Sequence, residues 1–289
     1  MNENSAASNL QSDEASSLQS TPPVAITIKS LLDAGAHFGH QTQRWNPKML
    51  PFIYTERNGI HIINLDITFK LWQRARKYIV DTVSLGGNVL IVATKQQAKE
   101  IVEREAKRSG AFFVTSRWLG GTLTNFETIK NSIDRMRKME DYLAKADAEG
   151  SEIKLKKKEK LTIGKNLFKL EANLGGIRGM KRPPNLIFVV DINKEAIAVA
   201  EARRLHIPVI ALVDTNVDPS NIQFPIPSND DAARTIELFL AGIADAVIEG
   251  RAAFDARKPK EQGESVESKR GHSNGTSEAH IGLENGTAA

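Results

Sequence analysis

The chain has 289 residues, 39 Lys or Arg against 35 Asp or Glu, six histidines and no cysteine. That length suits one large domain or two small ones. The missing thiols exclude disulfides, zinc knuckles and cysteine nucleophiles and suit a reducing cytosol, and no apolar run nears the roughly 20 residues of a membrane span.

The formal charge of +4 is unevenly spread: residues 1–23 carry −3 and residues 258–289 carry −1, so the cationic surplus of +8 belongs to residues 24–257. Residues 1–23 read as a disordered Ser/Asn/Gln extension without the basic and apolar regions of a secretory signal. The next segment holds His37, His40, Gln41, Arg44, Trp45 and Lys48 among Gly35, Gly39 and Pro47. That composition suits an ordered loop offering stacking faces, amide donors and cations to a folded RNA. Trp45 serves equally well as a core anchor with Arg44 snorkelling past it. Phe52–Ile63 then reads as two strands around Asn58-Gly59, the pair that best accepts positive φ in a two-residue turn.

Short β-branched runs follow at Val89–Ala93, Phe112–Thr115, Leu186–Val190 and Val209–Val213, alternating with helical stretches. Near-continuous apolar strands between helices predict a doubly wound parallel α/β sheet covered on both faces. Asp66 is placed to N-cap a helix running to Ser84, and Gly110 to close one that starts near Gln96. Between the second and third strands the pattern changes. Phe126, Ile129, Ile133, Met136 and Leu143 keep 3-4 spacing with Glu140 out of place, and Ile163, Leu167, Leu170 and Leu174 repeat it. This predicts an antiparallel helical hairpin over 126–182 inserted between core segments 24–125 and 183–257, with an ordinary core helix pair as the alternative. A last helix is expected from Asp231 to about Asp255, then a disordered tail over 258–289.

Charge is densest in the insertion. From Lys154 to Arg182 ten Lys or Arg stand against Glu159 and Glu171, a net +8 that includes Lys156, Lys157 and Lys158. At its end Gly175, Gly176 and Gly179 interleave with Arg178, Lys181 and Arg182, so backbone amides and cations can approach phosphates together. A solvated charged face would look similar. Arg117, in Ser116-Arg117-Trp118, adds a second basic-aromatic set.

The signatures of rival chemistries are missing. No G-x-x-x-x-G-K-[ST], no strand-to-helix G-x-G-x-x-G and no G-x-S-x-G occurs; ATKQQAKE follows the first core strand, and Gly120-Gly121 is the only weak phosphate-loop candidate. His37 and His40, with Asp214, Asp218, Asp230 and Asp231, are candidate metal ligands, but Asp230 and Asp231 also fit a helix start. No catalytic residue, cofactor or metal is expected. The acids Asp230 and Asp231, beyond the last strand, are expected to face a protein partner instead of RNA.

HFGHQTQRWNPKM at 37–49, YTERNGIHIINLDIT at 54–68, SRWLGGTLTNFETI at 116–129, GGIRGMKRPPNLIFVVD at 175–191 and HIPVIALVDTNVDPSNIQFPIPSNDDA at 206–232 together resemble the bacterial small-subunit ribosomal protein S-two family. The resemblance spans about residues 26–255. It implies a flavodoxin-like three-layer core with a protruding coiled-coil hairpin, a non-enzymatic place on small-subunit ribosomal RNA in the cytoplasm, a role in assembly and translation, and help in docking ribosomal protein S-one. Neighbouring small-subunit proteins are the other expected partners, with no membrane and no homo-oligomer. An α/β nucleotide-binding module or enzyme is the rival reading. Both tails exceed what the family fold requires.

Overall fold

The computed structural model describes residues 25–147 and 155–270, with side chains through 257. The extension over 1–23, Lys154 and the tail beyond Arg270 lie outside the described residues. In chain order the elements are α1 (Ile28–Asp33), β1 (Phe38–Gln41), β2 (Ile53–Arg57), β3 (Ile60–Ile63), α2 (Leu65–Ser84), β4 (Val89–Val92), α3 (Lys99–Ser109), β5 (Phe112–Val114), α4 (Phe126–Asp147), α5 (Lys157–Leu174), β6 (Leu186–Val190), α6 (Ala196–Arg204), β7 (Val209–Val213), β8 (Phe224–Pro227) and α7 (Ala233–Arg270).

The expected parallel sheet is present, with strand order β5-β4-β6-β7-β8 and every neighbouring pair parallel. This is the flavodoxin-like order, whose topological switch point lies between β4 and β6. Period-2 alternation sends Ile91, Phe188, Ile210 and Leu212 to one face, where they pack with Trp72, Ile79, Val102, Phe239 and Ile243 of α2, α3 and α7. Leu90, Val92, Ile187, Val189 and Ala211 go to the other, with Ala198 and Ala202 of α6 and Ile129, Ile133 and Leu174 of α4 and α5. Every residue of β4, β6 and β7 is buried, which is why their sequence runs are continuous and not alternating. Truncating a fully enclosed side chain such as Phe188 would cost about 3–5 kcal/mol.

Two strands escaped the sequence. β8, Phe-Pro-Ile-Pro, pairs only with β7 at the sheet edge, where a missing N–H is tolerated. β1 lies within the segment expected to be loop and pairs antiparallel with β3, completing a small sheet of order β1-β3-β2. The turn joining β2 to β3 is as expected: Asn58 and Gly59 take φ of 54° and 75°.

Helix ends bring corrections. Asn64, not Asp66, caps α2, its Oδ1 accepting from the amides of Asp66 and Ile67 at 3.0 and 3.4 Å, and Asp66 is a first-turn acid. Gly110 does close α3 in the left-handed region, φ 67°. The last helix starts at Ala233 and continues to Arg270, beyond the expected end near Asp255. Asp230 and Asp231 precede it, and Asn229 Oδ1 receives the amides of Asp231 and Ala232 instead.

Helices α4 and α5 contact one another between β5 and β6. Burial fades along them: Ile129, Ile133, Met136 and Leu174 are enclosed, Ile163, Leu167 and Leu170 are half-buried, and Leu161 is exposed. Neither Gly176 nor Gly179 has positive φ. A Cβ on Gly176 would lie 2.2 Å from the carbonyl oxygen of Phe113, so this glycine admits the backbone of β5, whereas Gly179 has ordinary room.

Candidate functional site

In an open parallel sheet, ligands bind beyond the carboxyl ends of the strands at the switch point. Here that position is filled by the chain's own lysine. Lys95, three residues after β4, is 8% exposed. Its Nζ lies 2.7 Å from Asp230 Oδ1 and Asp231 Oδ1 and 3.0 Å from Asp191 Oδ2, and also donates to the Asp230 carbonyl at 3.0 Å. Burial opposes its charge, but Asp230, Asp231 and Asp191 outweigh that and hold the ammonium above the usual lysine range. Burial, reinforced by the charge of Asp214, pushes Asp230 up to about 7.

The second phosphate-loop candidate is also filled from within. Glu201 of α6, 8% exposed, accepts from the amides of Gly121, Leu123 and Thr124 at 2.7, 2.9 and 3.1 Å. Trp118 Nε1 and Thr124 Oγ1 add bonds of 3.0 and 3.1 Å. Burial pushes this carboxyl up, yet the five donors prevail and hold it below the ordinary range. The loop after Trp118 is therefore an anion cradle, and its anion is a side chain. Trp118 itself is buried, so of the expected basic-aromatic set only Arg117 is exposed.

Beside the Lys95 cluster lies the segment carrying His37 to Lys48. His40 Nδ1 is 3.0 Å from Asp214 Oδ2 and Nε2 is 3.6 Å from Asp231 Oδ2. The Asp214 carboxylate beside it raises the imidazole above its usual range against the opposing effect of burial. Burial lowers His37. A cavity of about 400 Å³ opens between His40, Gln41, Arg44, Asp214, Asn229 and Asp231. Trp45 is half-buried against His61, ring centroids 5.2 Å apart, and neither His61 ring nitrogen has a hydrogen-bond partner among the described residues. Lys48 bonds Asp218 at 2.7 Å, which holds that carboxyl down to about 2. Among the described residues, no group of three or more His, Cys, Asp or Glu side chains is arranged to hold a metal ion.

The sequence-predicted RNA contacts thus fall into separate places. Gln41, Arg44 and Lys48 are exposed near the strand carboxyl ends, close to acids. Lys156, Lys157 and Lys158 are exposed at the start of α5, about 25 Å of helix from Leu174 in the core. Lys181 and Arg182 are exposed at the amino end of β6, where Arg182 reaches the Gly86 carbonyl at 3.4 Å. Arg178 is half-buried and engaged by its own chain: it pairs with Glu140 and Glu171, and its carbonyl accepts from Arg137. Asp231 is exposed, but Asp230 is 1% exposed and bound to Lys95, so only one of the two expected partner-facing acids is accessible.

Lys95 and Glu201 were overlooked in the sequence. Lys95 had a readable signal: two core strands run directly into Asp191 and Asp214, and a lysine placed just beyond the neighbouring strand complements them once a parallel register is assumed.

Comparison with known proteins gives a consistent answer. The profile described as Ribosomal protein S2 matches residues 31–250. The Small ribosomal subunit protein uS2 of Sorangium cellulosum is 52% identical over 239 residues, covering 83% of this chain and 83% of that protein. Those of Nitratidesulfovibrio vulgaris (strain Miyazaki F) and Mesorhizobium japonicum are 53% and 52% identical, covering 83% and 84% of this chain and 88% and 91% of theirs. With the flavodoxin-like strand order and matches over most of its length, the chain belongs to the Ribosomal protein S2 family.

Proposed function

We propose that this chain is a structural, non-enzymatic constituent of the small ribosomal subunit that binds ribosomal RNA through backbone and shape contacts and supports subunit assembly and translation in the cytoplasm. The names of its relatives support the ribosomal role. The observation that carries the non-enzymatic part is internal: Lys95 occupies the switch point and Glu201 the glycine loop, so both positions where such a sheet would hold a phosphate ligand are taken.

The RNA contacts in this reading are His37, Gln41, Arg44, Trp45, Lys48 and Arg117 around the strand carboxyl ends, the lysines 156–158, and Lys181 with Arg182. Arg178 acts from behind by fixing the base of α4 and α5. Those helices contact each other, and only residues 148–156 join them, which supports an antiparallel hairpin presenting its lysines away from the core. Neighbouring ribosomal proteins, ribosomal protein S-one among them, dock in this reading at the Asp231 side of the carboxyl-end cavity, with Asp230 and Lys95 as the support beneath.

Binding to small-subunit RNA measured across a salt series tests it. Affinity should fall steeply with salt, and changing Lys156, Lys157 and Lys158 to Gln should flatten that slope by roughly 2–3 if each neutralises one phosphate. Tight binding of a nucleotide or flavin by the isolated chain, with salt-insensitive RNA association, would restore the enzyme alternative.

A further inference from the structure

The parallel sheet sorts charge by end. In such a sheet all loops that lead into strands lie at one end of the core and all loops that leave lie at the other. The segments that leave the strands carry Asp191, Glu195, Asp214, Asp218, Asp230 and Asp231 against Lys95, Arg117 and Lys194. The segments leading in, at 85–88, 110–111, 181–185, 205–208 and 220–223, contain no Asp or Glu. They hold Lys181, Arg182 and His206, and the last turns of α3 and α6 add Lys107, Arg203 and Arg204, all exposed. Asp81 lies in the last turn of α2, and Glu201, two residues before Arg203, is buried and already engaged by the amides of Gly121, Leu123 and Thr124.

Cations in the last helical turn complement the helix dipole, and that would account for Lys107, Arg203 and Arg204 taken singly. It does not account for His206. This residue follows α6 at the position where glycine is the usual solution, with φ of 55°, its amide bonded to the Arg203 carbonyl at 3.1 Å. An imidazole is thereby held exposed on a left-handed backbone beside two arginines. Conformation alone would favour glycine there, so the side chain has another use.

We infer that the amino-end face of the sheet, built from Lys181, Arg182, Arg203, Arg204 and His206, is a contact surface for the phosphate backbone of small-subunit ribosomal RNA. This rests on the RNA-binding reading above and adds a second face to it: the core meets RNA at its amino end as well as through the His37–Lys48 segment at the carboxyl end. Adjacent cations with no acid in the intervening loops suit a polyanion, and the imidazole adds a donor or a stacking face.

The test combines charge removal with placement. Arg203→Gln, Arg204→Gln and His206→Gly together should leave the melting midpoint unchanged or slightly raised, since glycine relieves the backbone. The same variant should weaken RNA binding several-fold and flatten its salt slope by about 2. If the triple variant melts early, the two arginine changes alone give the same reading. Because the chain has no cysteine, an iron chelate can be tethered at Leu85→Cys on this face, where Leu85 is 76% exposed, or at Gln96→Cys beyond β4. In assembled subunits, RNA cleavage from Leu85→Cys, at positions distinct from any cut from Gln96→Cys, is the expected result. Parent-like RNA binding by the variants, cleavage from Gln96→Cys alone, or loss of an acidic protein with RNA binding intact would overturn the amino-end contact. If changing Lys156–Lys158 still flattens the slope, the RNA-binding reading survives that failure; if the parent chain itself shows no salt-dependent RNA binding, both fall.

Discussion

The carboxyl-end clusters and the paired helices spend charge in opposite ways. At Lys95 and Glu201 the central charge is turned inward: two buried ions are engaged by three carboxylates in one case and by five donors in the other. Along α5 the lysines are exposed, and their stems carry little of the packing. The two regions therefore answer mutation differently. Changing an enclosed charge strands its partners in a medium that solvates them poorly, so the fold fails. Changing an exposed lysine leaves solvent in its place, so the fold is indifferent and only a polyanionic partner registers the loss.

The sharpest way to break this contrast is Lys95→Met. It leaves Asp230 buried beside Asp191 and Asp214 without a counter-ion, and should cost about 3–5 kcal/mol in urea unfolding. Glu201→Ala should cost about 2–4 kcal/mol, because the amides of Gly121, Leu123 and Thr124 lose their common acceptor. A loss below 1 kcal/mol in either would mean that water replaces the partner and that the position is open to ligands after all.

Gly176→Ala ranks next, at about 1–3 kcal/mol, since its Cβ would collide with the Phe113 carbonyl; Gly179→Ala, in ordinary contact, should be near neutral. Equal effects at the two sites would remove the close approach of β5 as the explanation.

A smaller effect is the pH dependence of the carboxyl-end cluster. Asp230 and His40 are both raised in the folded chain. A group with a raised folded pKa contributes stability at pH below its unfolded value and loses it as pH rises through the folded one. For Asp230 that window runs from about 4 to about 7. His40 adds a loss beginning near its ordinary range. The urea midpoint should therefore decline on going from pH 5 to 8, and Asp230→Asn should flatten the acid part of that decline; a rising midpoint would contradict the burial of Asp230.

The smallest expected change in stability, within about 0.5 kcal/mol, belongs to the triple change of Lys156, Lys157 and Lys158 to Gln. Thermal melting checks it beside the salt series, and a melt lowered well beyond this would show that the lysines pack against the helix pair.

Sequence alone determined which segments are sheet interior. Leu186–Val190 and Val209–Val213 match β6 and β7 residue for residue, because a strand buried on both faces must be apolar throughout. Asn58-Gly59 fixed its turn, and the 3-4 spacing from Phe126 onward fixed α4, for equally local reasons. Local rules failed where the tertiary setting decides. β8 went unread because prolines 225 and 227 lack the N–H of an ordinary strand, yet an edge strand needs hydrogen bonds on one side only. Asp230 reads as a helix cap or a surface acid, and only folding brings it to Lys95, 135 residues away in the chain. Gly120-Gly121 reads as a loop for a phosphate, and only the packing of α6 shows that Glu201 already occupies it. Periodicity reports which side of a strand or helix meets the core, whereas the partner of a buried charge is set by which strand lies next to which, and that order is a property of the sheet.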